Sequence, residues 1–155
     1  MDYLTVKWLH VMSSTVLFGT GVGTAFFMFF TNRTRDVRAI ASVSRRVVMA
    51  DWLFTAPTAI IQPATGAWLI SFTGMPWSTP WIAWSVGLYI VAGACWLPVV
   101  WIQIRMAAIA DRSLQDNAPL PKSYWRFHAA WTALGIPAFI AFIAIFYLMV
   151  VKPAL

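Results

Sequence analysis

Four long apolar runs joined by short polar connectors constrain this chain more than any other feature of its sequence. They cover about Leu4 to Phe30, Val47 to Phe72, Trp81 to Ile104 and Ala129 to Val151. The hydrocarbon core of a bilayer is about 30 Å thick, and a helix needs roughly 20 predominantly apolar residues to cross it. Each run is long enough, and a helix satisfies its own backbone polar groups in lipid. The pattern predicts an all-α fold: an integral membrane four-helix transmembrane bundle forming a single domain over residues 1–155. Composition agrees, since 61% of residues are hydrophobic and 10% charged, more apolar surface than a soluble chain can hide. The first run follows Asp2, begins polar and lacks a small-residue cleavage site, so it reads as a retained helix and not a removed signal peptide.

The connectors set the expected orientation. The first holds Arg33, Arg35, Arg38, Arg45 and Arg46, and the third Arg105, Arg112, Lys122 and Arg126. The second, a tight turn with Gly74, Pro76 and Pro80, holds no cation. Short loops rich in Lys and Arg stay on the cytoplasmic side, which predicts a multi-pass protein of the bacterial inner membrane with both termini outside. Lys7 and Lys152 lie near span ends, where they can snorkel to the interface, and Trp77, Trp81, Trp84, Trp125 and Trp131 form an aromatic belt. The net charge of +6 is divided among these connectors and forms no continuous basic face, so nucleic acid is not an expected partner. Cys95 stands alone in an apolar run, which excludes a disulfide framework and a Cys/His zinc site.

Ionisable groups inside a span are costly and therefore informative. His10 lies about two turns into the first run, on a face with Lys7, Ser14, Leu17 and Gly21. Its imidazole can ligate heme iron or another metal, carry a proton, or hydrogen-bond a neighbouring helix. Asp51, Thr55, Thr58, Gln62 and Thr65 repeat every three or four residues and form a polar intramembrane stripe that must point inward. Interhelical hydrogen bonding explains such a stripe; so does a path or pocket for a polar substrate, a quinone headgroup or a proton. Pro57 and Pro63 interrupt the hydrogen-bond ladder of the same run and can widen a cavity. Gly19, Gly21 and Gly23 in the first run, and Gly87, Ala92 and Gly93 in the third, read as points of close helix approach, or as clearance for a flat cofactor. His128, after Tyr124, Trp125 and Arg126, reads as an interfacial residue. The chain has no glutamate, and Asp51 is the one carboxylate near a span, which argues against paired-carboxylate catalysis within a subunit. No phosphate-binding loop, nucleophile elbow, zinc-protease helix or dinucleotide fingerprint is present.

Four stretches carry a resemblance over nearly the whole chain: DYLTVKWLHVMSSTVLFGTGVGTAFFMFF (2–30), ADWLFTAPTAIIQPATGAWLI (50–70), ACWLPVVWIQIRM (94–106) and IPAFIAFIAIFYLMVVKP (136–153). They resemble the bacterial predicted integral membrane proteins of unknown function numbered 2269, a family that implies a membrane location and no activity. More distantly, Lys7 with His10, Thr55 with Pro57, Gly66 with Trp68, and Pro137 through Lys152 and Pro153 are similar to the four-helix, HemJ-type membrane protoporphyrinogen oxidases. That resemblance implies heme b, with His10 as the ligand to the heme iron. It departs where that family's third-helix lysine is Ser85 here, and where its Asn-Glu pair is Leu134 and Gly135. The resemblance therefore implies a five-coordinate iron or another sixth ligand, and does not carry protoporphyrinogen oxidation over.

Two expectations follow. In the first, the chain is a small redox or electron-transfer protein in the bilayer, binding heme b through His10 and exchanging electrons with a quinone, a porphyrin or a protein partner. In the second, it is a non-enzymatic membrane subunit or a small-molecule transporter component that uses the stripe from Asp51 to Thr65. A homo-oligomer or a partner membrane subunit is compatible with either.

Overall fold

The computed structural model describes residues 2–153, and among these every regular element is helical. Helix α1 (Tyr3–Thr34) starts where Asp2 caps it, accepting from the Thr5 amide at 2.8 Å and the Thr5 hydroxyl at 2.9 Å. The same bonds hold the Asp2 carboxyl below its ordinary pKa, the Thr5 amide contributing most. Arg35, in the left-handed region at φ 58°, closes α1, and Asp36 opens α2 (Val37–Ala50) by accepting from the amides of Arg38 and Ala39. The arginine-rich connector expected from sequence is thus mostly helix. Only Arg35 and Asp36 are outside it, because arginine is a good helix former and the apolar runs mark only the lipid-facing part of longer helices.

The second rod runs without a break from α2 through a π-turn (Asp51–Thr55) into α3 (Ala56–Thr73). The Ala56 amide bonds back to the Asp51 carbonyl, so the turn holds one residue more than an α-turn. Pro57 follows directly; a proline ring crowds the preceding turn and supplies no N–H, and the wider turn sits where that conflict falls. Gly74, at φ 66°, ends α3 with its amide on the Ser71 carbonyl. After the turn come α4 (Pro80–Gln115) and α5 (Lys122–Val151), both extending past their predicted runs at the arginine end.

Among the described residues three helices, α1, α4 and α5, are long and apolar enough to cross a membrane, against the four spans expected. The second rod falls short for a physical reason: the π-turn divides it, and Thr58, Gln62 and Thr65 dilute the 18 residues of α3.

The four rods run antiparallel. Tyr3 stacks on Phe72 at 5.6 Å, pairing α1 with α3, and the Lys152 ammonium lies 5.4 Å over the Trp81 ring, pairing α5 with α4. Tyr3 and Lys152 therefore share one end with the Gly74 turn, and the eight arginines and Lys122 gather toward the other. At the arginine end α2 packs against both α1 and α4. Met28, Ile40, Ala41, Met106, Ala110 and Tyr124 form a closed core there. Tyr124, 0% exposed, donates its hydroxyl to Asn32 Oδ1 at 2.7 Å, and Asn32 donates to the Met28 carbonyl at 2.7 Å. Beyond the π-turn, α3 stays with α1 and draws away from α4, so the two helix pairs diverge.

Candidate functional site

That divergence opens a chamber of about 920 Å³ between the pairs. Small residues from all four rods face it: Gly21 of α1, Ala56 and Ala59 of α3, Gly93 of α4 and Gly135 of α5. A Cβ added at Gly21, Gly93 or Gly135 would meet nothing within 4 Å among the described residues. The expected role of Gly21 and Gly93 in close helix approach is corrected by this finding, as Gly19, Gly23 and Gly87 are also clear. In α1 and α4 these residues make space; they do not bring backbones together. The walls are otherwise aromatic, with Phe18, Phe29, Tyr89, Trp96, Trp131 and Phe142. Ile60, Leu97 and Ile136 on the rim are exposed, so the chamber communicates with the face that lipid covers.

One strut crosses the gap. Pro63 has no N–H, which leaves the Ala59 carbonyl, one turn earlier, without a helical donor. Tyr89 of α4 donates its hydroxyl to that carbonyl at 2.7 Å. A second bridge is aromatic: Phe18 of α1 stacks on Phe139 at 5.8 Å and meets the edge of Phe146 at 5.2 Å.

Asp51 is the only carboxylate among the described residues that line the chamber, and it is 5% exposed. One of its oxygens accepts from the Thr55 hydroxyl at 2.9 Å; the other, Oδ2, has no partner among the described residues. Asp51 has no arginine partner among the described residues: Arg45 pairs with Asp111. Gln103 of α4 neighbours Asp51, equally buried, and its Oε1 is also unpartnered, as is the indole N–H of Trp96. Buried polar groups without partners are rare in folded proteins. Three of them on one apolar chamber make it the place where a ligand has something to gain.

The predicted stripe is one line in sequence and two faces in space. Asp51 and Thr55 line the chamber. Thr58 is buried and spends its hydroxyl on its own backbone, 3.1 Å from the Thr55 carbonyl. Gln62 and Thr65 turn to α1 and meet His10. His10 and Asp51 therefore do not converge, since Asp51 and Gln62 are about 17 Å apart along the rod at 1.5 Å per residue.

The His10 contacts assign its proton. Gln62 Oε1 accepts from the Ser13 hydroxyl, so the Gln62 amide nitrogen is the donor to His10 Nε2, at 3.1 Å. Nδ1 then carries the hydrogen and donates to Thr65 Oγ1 at 2.9 Å, whose own hydroxyl donates to the Ile61 carbonyl at 2.7 Å. Gly66 backs the ring: a Cβ there would come within 3.2 Å of His10 Cε1. A heme iron needs a free ring nitrogen and room for a porphyrin beside it. His10 has both nitrogens engaged and lies outside the chamber lining, so this arrangement does not fit a heme at His10. Among the described residues no three His, Cys, Asp or Glu side chains gather as a metal site. His128 sits among Phe29, Trp125 and Trp131, with ring centroids 5.8–6.1 Å away, and its Nε2 is buried without a partner among the described residues.

Gln103, Tyr89 and Trp96 were not singled out in the sequence. Gln103 stands two residues before Arg105 and reads as the polar end of an apolar run. Tyr89 had a signal in principle, because Pro63 leaves a carbonyl that some donor must satisfy.

The family of predicted integral membrane proteins designated DUF2269 matches residues 4–153. The chain belongs to this family. Its membrane character, read from the apolar runs, is thereby borne out. No curated protein and no solved structure matches the chain.

Proposed function

We propose that this chain is a four-span protein of the bacterial inner membrane, both termini outside, that binds a small and mostly apolar molecule in the chamber and serves as a binding or transport component. The second rod completes the count of spans, its polar side chains turned to α1 and to the chamber and not to lipid. The observation that carries the reading is the chamber itself: about 920 Å³, apolar walls, and the unpartnered Oδ2 of Asp51 at its floor. Ligand sites have this volume and this ratio of apolar wall to a few polar groups. Access from the bilayer suits a lipid-soluble ligand.

The test uses the full chain in nanodiscs with a short-chain benzoquinone, read by quenching of tryptophan fluorescence. Saturable quenching is expected, weakened at least about tenfold by Gly135→Leu, since a side chain there fills the space without touching Asp51. Equal quenching in both proteins, or none for any apolar probe, overturns the reading.

Heme b on His10, implied by the HemJ resemblance, is a second proposal, and with it go the oxidoreductase and electron-transfer roles. Because His10 lies outside the chamber with both ring nitrogens engaged, ligation there requires Gln62 to give up Nε2 and α1 and α3 to part beside it. A Soret band in protein purified from heme-supplied cells, lost in His10→Ala, is the expected outcome. A colourless preparation overturns it.

A further inference from the structure

We infer that the chamber's ligand is a lipophilic organic cation whose charged end bears N–H donors and docks between Asp51 and Gln103. This deepens the chamber reading above and rests on it.

The chamber wall shows what kind of molecule it lacks. Asp51 Oδ2 and Gln103 Oε1 are both acceptors on residues each 5% exposed; the Gln103 amide approaches the Asp51 carboxylate, but neither acceptor has a partner within hydrogen-bond distance among the described residues. The chamber lining includes no lysine, arginine or histidine that could supply one. An ammonium supplies up to three N–H donors and the charge that a buried carboxylate otherwise lacks. The same chamber is lined by Phe29, Tyr89, Trp96 and Trp131, and aromatic faces attract cations. The remaining wall is aliphatic or aromatic apart from Thr24, Thr55 and Thr132, whose hydroxyls donate to the Thr20 carbonyl, Asp51 and the His128 carbonyl, and it takes a mostly apolar body, while the open rim at Ile60, Leu97 and Ile136 admits a molecule already dissolved in the bilayer.

The alternatives match less well. A quinone brings two carbonyl acceptors and no donor; it suits only the Trp96 indole N–H and leaves the acceptor pair unanswered. An anion meets a carboxyl. A bare metal ion finds one carboxylate and one amide oxygen, with three threonine hydroxyls spread along the wall and no cluster of metal-ligating side chains among the described residues, too few oxygens for calcium or magnesium.

The experiment uses the full chain in phosphatidylcholine nanodiscs and three probes by equilibrium dialysis. Desipramine is a lipophilic secondary ammonium; its N-acetyl derivative has the same body without charge or donor; tetraphenylphosphonium has charge without donors. Desipramine should bind saturably, the N-acetyl form at least about tenfold more weakly, and tetraphenylphosphonium between the two. Asp51→Asn should weaken desipramine at least about tenfold and leave the N-acetyl form unchanged. Gln103→Met should weaken desipramine in the same direction, which keeps the test alive if Asp51→Asn does not fold. Gly135→Leu should abolish binding of all three. If the N-acetyl form binds as well as the amine, or if Asp51→Asn and Gln103→Met bind like the wild type, the cation assignment is overturned while the chamber reading stands. If no probe binds saturably, and benzoquinone does not either, both fail together.

Discussion

Around Tyr124, side chains from all four rods close on one another; a few turns away, around Tyr89, the same rods leave about 920 Å³ between them. The difference lies in residue size at matching levels. Met28, Ile40, Met106 and Tyr124 meet at the arginine end, whereas Gly21, Ala59, Gly93 and Gly135 face one another across the gap. Lipid tails are as apolar as leucine, so no hydrophobic force draws helices together within the bilayer, and contact depends on packing and on particular hydrogen bonds. The closed end has the packing. The open end is held by a few bonds: Tyr89 to Ala59 between the pairs, and His10 to Gln62 and Thr65 within one of them.

This contrast can be broken most forcefully at the closed end. Tyr124→Ala should cost about 3–5 kcal/mol, because it empties a fully buried site and leaves Asn32 Oδ1 unpaired. Unfolding in mixed micelles would measure it, and a loss below about 1 kcal/mol would show that the core is not what closes this end. At the open end His10→Ala should cost less, about 1–2 kcal/mol for two interhelical bonds, in the same assay. Gly21→Ala, Gly93→Ala and Gly135→Ala sharpen the contrast by changing its sign. With open space beyond each Cβ, every one should stabilise by up to about 1 kcal/mol through helix propensity, whereas glycines at a close crossing would lose stability on gaining a side chain. Arg45→Ala should have the smallest effect, within about 1 kcal/mol and vanishing at high salt, since the Arg45–Asp111 pair is largely exposed.

The sequence carried the helices further than it carried the site. Apolar run length predicted all four rods, and Gly74 with Pro76 and Pro80 marked the turn between the second and third. The ends were misplaced at Arg38, Arg45 and Arg112 because hydropathy reports what faces lipid and not where a helix stops. The stripe from Asp51 to Thr65 misled for a sharper reason. A face defined by helical spacing holds only while the turn stays regular, and the π-turn at Asp51–Thr55 adds a residue just where the stripe begins. Asp51 and Thr55 reached the chamber, while Gln62 and Thr65 reached His10. Gln103, the other half of the acceptor pair, is four helices' geometry away from any local pattern: nothing near it in the chain shows that Asp51 is its neighbour.

The bond between Tyr89 and Ala59 has a use beyond holding the wall. Most carbonyls of a helix accept from an amide; Ala59 accepts from a phenol, and both residues line the chamber. Isotope labelling of that one carbonyl would place its infrared stretch apart from the rest of the bundle. Any molecule that enters and shifts the Tyr89 ring would register there as a frequency change, so the protein carries its own optical gauge of occupancy.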